Sequence, residues 1–265
     1  DNIGLFHALE SSYRVIALFI FDEEILESIA KNDPRVSFIH VSLEKINAEL
    51  QKVGSSLLVK KGKTLDIWQA LIQEFDVKEV FFNKDYEPYA IKRDRSICEL
   101  LNSNKVASFS YKDQVVFEEK EICKADGTAY TIYTPFKNKW LEKYRLNAPV
   151  REYDCSAKRS NFFSNDFVFP SLEHIGFKRS SVNVLPYHLN SIANYHETRD
   201  CPAMGSTSYL SPHLRFGTVS IRKLVNWAAR KNEVFLSELI WREFFMQILY
   251  CFPKVVSQNF KPAYD

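Results

Sequence analysis

Glu238, Trp241, Arg242 and Phe245 stand at i, i+3, i+4 and i+7. A helix through them carries a carboxylate, an indole, a guanidinium and a phenyl ring on one face. Leu236, Leu239, Ile240, Phe244, Ile248 and Leu249 make the other sides apolar. A helix greasy all round is normally buried, and a buried charge is costly unless it meets a partner. The plain interpretation is a structural ion pair in a core helix. The neighbouring segments decide whether the face does more.

Tyr195 and Arg199 stand one turn apart in a segment that reads as a helix from Tyr187 to Asp200. An aromatic ring beside a cation can stack a base and hold a phosphate, although an ordinary surface pair has the same spacing. The run Gly205-Ser206-Thr207-Ser208-Tyr209-Leu210-Ser211-Pro212 follows. Ser211 before Pro212 predicts a helix start with Ser as N-cap. Hydroxyls ahead of a helix N-terminus suit an anion, and equally make a plain Ser/Thr-rich turn. Gly217 ends that short helix, and Thr218 to Ser220 open another carrying Ile221, Leu224, Val225 and Trp227.

Composition narrows the chemistry. The 265 residues are 46% hydrophobic, enough for a sizeable core and two domains. With 21 Phe, 13 Tyr and 4 Trp, aromatic surface for flat ligands is plentiful. Only 7 Gly are present and no GxGxxG or GxxxxGKS string, which argues against a Gly-rich nucleotide loop. A net charge of +2 confines any basic patch to a local one. The five cysteines lack CxxC spacing and read as reduced thiols of a cytoplasmic protein, with neither a disulfide frame nor a metal site expected. No apolar run approaches the roughly 20 residues that span a bilayer.

The elements that must position these residues fall into two halves. Tyr13 to Phe21 is a continuous apolar run, as a strand buried on both faces requires. A helical pattern over Pro34 to Lys52 follows, then a strand over Ser55 to Lys60 and a helix capped by Thr64 with Ile67, Trp68, Leu71 and Ile72 on its stripe. Lys78 to Asn83, Pro88 to Leu101 and Ala107 to Tyr111 read as strand, helix and strand. This alternation predicts an α/β fold with a parallel, Rossmann-like sheet and right-handed crossovers. Ligands of such sheets sit at the carboxyl ends of strands, which points to the loop Asn83 to Pro88. That loop is also a possible solvated turn. The chain enters a helix at Ile3, Leu5, Phe6 and Leu9 without the opening, often central, strand of such sheets, so a fragment, or a strand supplied from elsewhere, is expected. From Arg145 to about Pro186 the pattern turns irregular, as an interdomain linker would, and beyond it only helices are read.

Taken in order, these strings resemble the DNA photolyase/cryptochrome family along nearly the whole chain. The matching segments are Asn83 to Pro88 with Arg93-Asp94, Lys112 to Phe117, Tyr130 to Phe136 with Trp140, and Tyr195 with Arg199-Asp200. The two strongest are Thr207 to Gly217 and Glu238 to Phe245. The resemblance implies an antenna-type α/β domain over 1–144, a linker over 145–186, and the N-terminal part of an all-helical FAD-binding domain over 187–265. It implies light-driven repair of UV-induced pyrimidine dimers in DNA by electron transfer from reduced FAD.

On that resemblance, Tyr195 and the loop Thr207, Ser208, Tyr209, Leu210 and Ser211 contact the FAD phosphates and ribityl chain. Arg242 supplies charge to the pyrophosphate, and Phe235 sits near the cofactor. Trp241 stacks on the flipped dimer, Glu238 bonds its base edge, and Arg199 holds a DNA phosphate. The partner is UV-damaged DNA and the protein is expected to be a monomer. A second chromophore, folate or deazaflavin, is part of the family pattern. Folate-binding relatives carry Asn-Glu where this chain has Tyr89-Ala90, which counts against folate. The chain holds about half of the expected FAD pocket, so weak or no FAD binding by the 265 residues alone is expected. A blue-light photoreceptor of cryptochrome type and a non-enzymatic α/β nucleotide-binding module are the alternatives.

Overall fold

The apolar run Tyr13 to Phe21 becomes a strand only at its end. In the computed structural model, which describes residues 1–261 and 263, helix α1 (Ile3–Glu10) precedes strand β1 (Leu18–Asp22). Upstream of the strand, Val15 pairs instead with the later connection, its N–H donating to Asn161 O at 3.0 Å while its carbonyl accepts from Phe163 N at 2.8 Å. The half-helical, half-strand alternation then proceeds through α2 (Glu23–Leu26), α3 (Pro34–Gln51), β2 (Leu58–Gly62), α4 (Thr64–Glu74), β3 (Glu79–Asn83), α5 (Pro88–Ser103) and β4 (Ala107–Tyr111). Thr64 does not cap α4 as expected. It is the first helical residue, Lys63 is the cap, and no side chain serves the free amides.

Pairing is parallel, but the single expected sheet is divided in two. β1 pairs with β2 in register Leu18 to Leu58, and β3 with β4 in register Glu79 to Ala107. No strand among the described residues joins the pairs. Helix α1 packs onto β3 and β4 instead. Gly4 allows this: its N–H donates to Asn83 Oδ1 at 2.9 Å, and a Cβ there would meet that oxygen at 2.9 Å and the Phe82 backbone carbon at 3.3 Å.

Beyond β4 the α-helices are α6 (Tyr133–Asn147), α7 (Tyr195–Thr198), α8 (Leu210–Arg215), α9 (Ile221–Lys231) and α10 (Glu233–Cys251). The helix expected over Tyr187 to Asp200 is broken into a 3-10 turn at Asn190–Asn194 followed by α7. Val116, Phe136, Trp140, Leu210, Leu224, Val225, Ile240 and Phe244 form one core, so α6 packs with α9 and α10 rather than on the sheets. A second core joins Leu9, Phe21, Val36, Leu43 and Leu57 to Phe162, Leu172, Ile175 and Phe177 of the irregular connection. That connection therefore closes the open side of the first sheet pair. No helix among the described residues is long and apolar enough to cross a membrane.

One buried ion cluster fastens the layers. Ser220 caps α9, its side chain accepting from Lys223 N, and Arg222 lies in the first turn. Arg222 Nε is 3.0 Å from Asp1 Oδ2 and its Nη2 is 2.8 Å from Asp113 Oδ1, with the Arg222 and Asp1 side chains only 4% and 2% exposed. Removing the guanidinium strands the buried Asp1 carboxylate without a cation. Arg222→Met is expected to lower the unfolding free energy by about 3–5 kcal/mol, measured by urea denaturation. A loss below about 1 kcal/mol, the level of an exposed pair, would show that the cluster does not fasten the layers.

Candidate functional site

Helix α10 is set in place by two side chains. Asn232 ends α9 and caps α10: its Oδ1 accepts from Phe235 N at 2.9 Å and its Nδ2 donates to Ala193 O at 3.0 Å, just ahead of α7. Glu243, 3% exposed, is gripped on its other side. Val116 N donates to its Oε2 at 2.7 Å, while Phe117 N and Trp140 Nε1 donate to its Oε1 at 3.0 and 2.7 Å. Adjacent Arg242 donates from Nη1 to Gln114 O at 2.7 Å. Consecutive side chains of one helix thus hold the segment 114–117 by its carbonyl and its amides together.

Between α10, α7, α8 and the loop after β3 lies a cavity of about 640 Å³, within the roughly 300–1,000 Å³ range of small-molecule and cofactor sites. Tyr195, Arg199, Thr207, Ser208, Leu210, Ser211, Phe235, Glu238 and Arg242 all line it. Asp85, Tyr86 and Glu87 close it from the α/β half, where the carboxyl end of β3 was expected to face a ligand. Across its mouth Arg215 Nη2 lies 2.5 Å from Glu87 Oε1. Tyr86 is buried, and burial with Glu118 and Glu119 nearby holds its hydroxyl well above the ordinary range, so it stays protonated.

The polar lining is of two kinds. Arg242 is largely buried, and burial pulls its pKa down. Among the described residues no carboxylate forms an ion pair with it; Gln114 O and Leu214 O take its N–H groups. A buried guanidinium without an anion favours one in the cavity beside it. Among the described residues, the hydroxyls of Thr207, Ser208 and Ser211 have no protein partner, which leaves them for a ligand. Arg199 is different: its Nη1 donates to Glu238 Oε1 at 2.6 Å, and this carboxylate holds its pKa above the ordinary value.

Three expectations need correction. Ser211 is not the cap of α8. The helix begins at Leu210, and Tyr209 holds the cap position with a left-handed φ of 56° and no side-chain bond. Tyr209 accordingly leaves the cavity and lines a second groove with Pro34, Leu185 and Phe216. Trp241 is also outside the cavity lining. Its ring stacks on Tyr133 with centroids 3.5 Å apart and planes 9° apart, and on Phe245 at 5.4 Å and 21°. The face expected to carry Glu238, Trp241, Arg242 and Phe245 together is split: Glu238 and Arg242 face the cavity, Trp241 and Phe245 stack beside it. An i, i+3 step falls about 60° short of a full turn, which turns Trp241 away from Glu238 and Arg242, while Phe245, about 20° from Glu238 around the helix, is 60% exposed and stacks on Trp241.

Residues 1–154 match the DNA photolyase family. The chain belongs to that family. The deoxyribodipyrimidine photo-lyase of Halobacterium salinarum is 31% identical over 95% of this chain and 57% of its own length. The crystal structure of an archaeal photolyase from Sulfolobus tokodaii, described with two FAD molecules, superposes with TM-score 0.79 at 27% identity over 100% of this chain and 60% of that one. A Synechocystis cryptochrome shares the fold, with TM-score 0.71 and 18% identity over 97% of this chain and 60% of that one. The chain spans about three fifths of the length of the photolyases it matches.

Glu243 and Gln114 are site residues that the sequence pattern did not single out. Glu243 had a signal: a carboxylate on the same side of α10 as buried Leu236, Leu239 and Ile240 has to be paired. Burial pushes its pKa up to about 7, against the pull of its three N–H donors and Arg242. The folded protein therefore binds a proton that the unfolded chain releases at a lower pH. This group's contribution to stability is full below the ordinary glutamate pKa and is lost as pH rises through about 7. In thermal or urea melts from pH 5 to 8, wild type is expected to lose stability relative to Glu243→Gln as pH rises, by at most about 1.4 kcal/mol per pH unit. A difference independent of pH would show that Glu243 does not titrate in this range.

Proposed function

We propose that the protein to which this chain belongs binds FAD in the α10 cavity and uses light to reverse UV-induced pyrimidine dimers in DNA. The observation that carries this is the buried, anion-free Arg242 beside the open hydroxyls of Thr207, Ser208 and Ser211, in a chain of the DNA photolyase family. A dinucleotide brings a diphosphate for that end and flat rings for the wall of Tyr195 and Phe235, whose rings meet edge to face at 5.3 Å.

Reduced flavin, when bound, supplies the photoexcited electron that splits the dimer. The side chains bind and orient. Arg242 neutralises the diphosphate, and the hydroxyls hold its oxygens. Glu238 takes the edge of the extruded base, and Arg199 takes a flanking phosphate. Trp241, backed by Tyr133, offers only an edge or the Phe245 side unless Phe245, 60% exposed, swings away to uncover its face. Base stacking on Trp241 in this proposal requires that rearrangement. We assign no antenna: Tyr89 stands where folate-binding relatives carry Asn, and its hydroxyl donates to Asp22 Oδ2 at 2.6 Å.

The test is a strand carrying a thymine dimer, incubated with the protein and excess photoreduced FAD under blue light and in the dark. Dimer loss is expected only in the light, and Glu238→Ala lowers its yield. Arg242→Gln, which keeps a donor for Gln114 O but loses the charge, weakens flavin affinity about 10- to 100-fold, the worth of a charged hydrogen bond. Flavin affinity unchanged in Arg242→Gln would remove the diphosphate from this end of the cavity, and dimer loss absent in the light would contradict the repair function.

A further inference from the structure

Arg199 and Glu238 are assigned above to different parts of the DNA, one to a phosphate and the other to a base edge. In the structure they hold each other: Arg199 Nη1 donates to Glu238 Oε1 at 2.6 Å. Each group therefore occupies the binding capacity of the other. The pair is not locked in. Its side chains are 36% and 32% exposed, so water and salt screen the attraction. Arg199 has further support, because its guanidinium lies over the Tyr195 ring at 5.6 Å and its Nε approaches Asp200 at 3.6 Å. Loss of Glu238 leaves the guanidinium stacked at the cavity mouth.

A phosphodiester presents two oxygens to the planar fork of an arginine, a geometry that favours bidentate bonding. The present contact to Glu238 uses one oxygen. We propose that the pair is an exchange latch: a DNA backbone phosphate takes Arg199 from Glu238, and the released carboxylate is then free to accept an N–H of the extruded base. This rests on the DNA-repair function proposed above. Its consequence is an order of events. A base that arrives without a seated phosphate meets a carboxylate already occupied by Arg199, whereas backbone engagement frees it beside apolar Phe235 and Leu239, where an N–H donor is its natural partner. Arg199 is in this account a positioning residue for Glu238 as well as a phosphate ligand.

The experiment separates the backbone from the bases. A short single strand made only of abasic nucleotides is titrated, by fluorescence anisotropy at fixed salt, into the protein to which this chain belongs and into Glu238→Gln, Arg199→Gln, Arg199→Lys and the double variants Arg199→Gln/Glu238→Gln and Arg199→Lys/Glu238→Gln. The latch predicts that Glu238→Gln tightens abasic-strand binding about two- to fivefold, the worth of an exposed ion pair. It predicts that this gain vanishes in the Arg199→Gln background and persists in Arg199→Lys/Glu238→Gln against Arg199→Lys. An equal gain with and without Arg199 would overturn the latch, because removing any negative charge near DNA then accounts for it. So would no gain at all. If a dimer-containing strand still binds in either case, only the latch falls. If wild type binds neither the abasic nor the dimer strand, the DNA-repair function falls and the latch with it.

Discussion

Three N–H donors from two segments converge on the carboxylate of Glu243, inside the core that joins α6 to α10. Two come from Val116 and Phe117, in the stretch that leaves the last strand, and one from the indole of Trp140 on α6. A buried carboxylate is tolerable only when its oxygens are filled, and a buried N–H only when it has an acceptor. The constraint is mutual, so it fixes the register of α10 against the exit from the α/β half. Gln247, one turn on, continues the same seam by donating from Nε2 to Glu118 O and Glu119 O at 3.3 and 3.2 Å.

The cavity follows from that register. Arg242 and Glu243 are neighbours in sequence and point about 100° apart around the helix, so anchoring one in the core turns the other towards the cavity. Four residues earlier, Glu238 comes to the mouth, and at the N-terminal end the shared cap Asn232 sets Phe235 against Tyr195. On the adjoining stripe Trp241 stacks between Phe245 and Tyr133, whose hydroxyl is itself tied to Ser237 O at 2.7 Å. The same helix thus presents a polar wall to the cavity and an aromatic stack beside it. The left-handed Tyr209 completes the arrangement by ending the hydroxyl loop sharply, leaving Thr207 and Ser208 on the cavity side.

Much of this was legible in the residues. The alternation of apolar runs with amphipathic helices located β2, β3 and β4 to within a few residues and β1 at its C-terminal end, because parallel strands and their crossovers leave strong periodic signals. Of the residues lining the cavity, Glu238 and Arg242 stand out because charge in a greasy helix has to be explained, Tyr195 and Arg199 by their one-turn spacing, and Phe235 only through the family resemblance. The errors came from tertiary context. Spacing at i, i+3, i+4 and i+7 does not say which part of a wide face meets a cavity, and Tyr133 lies more than a hundred residues from its partner Trp241. Ser-Pro is a sound local signal for a helix start, but the helix begins one residue earlier, at Leu210, 3% exposed, with Tyr209 in a left-handed turn before it. The apolar Tyr13 to Ala17 stretch read as sheet because its true partner, the bridge at Phe162, lies in a connection with no pattern of its own.

The claim at the centre of this account is that Glu243 holds the exit of the α/β half against α10. Amide hydrogen exchange at Val116 and Phe117 tests it directly, since their N–H groups have the Glu243 oxygens as acceptors. They are expected to exchange among the slowest amides outside helices and strands, and Glu243→Ala is expected to release both to rapid exchange while the amides of β1 and β2 stay protected. Rapid exchange of Val116 and Phe117 in the wild type, or protection unchanged in the variant, would contradict it.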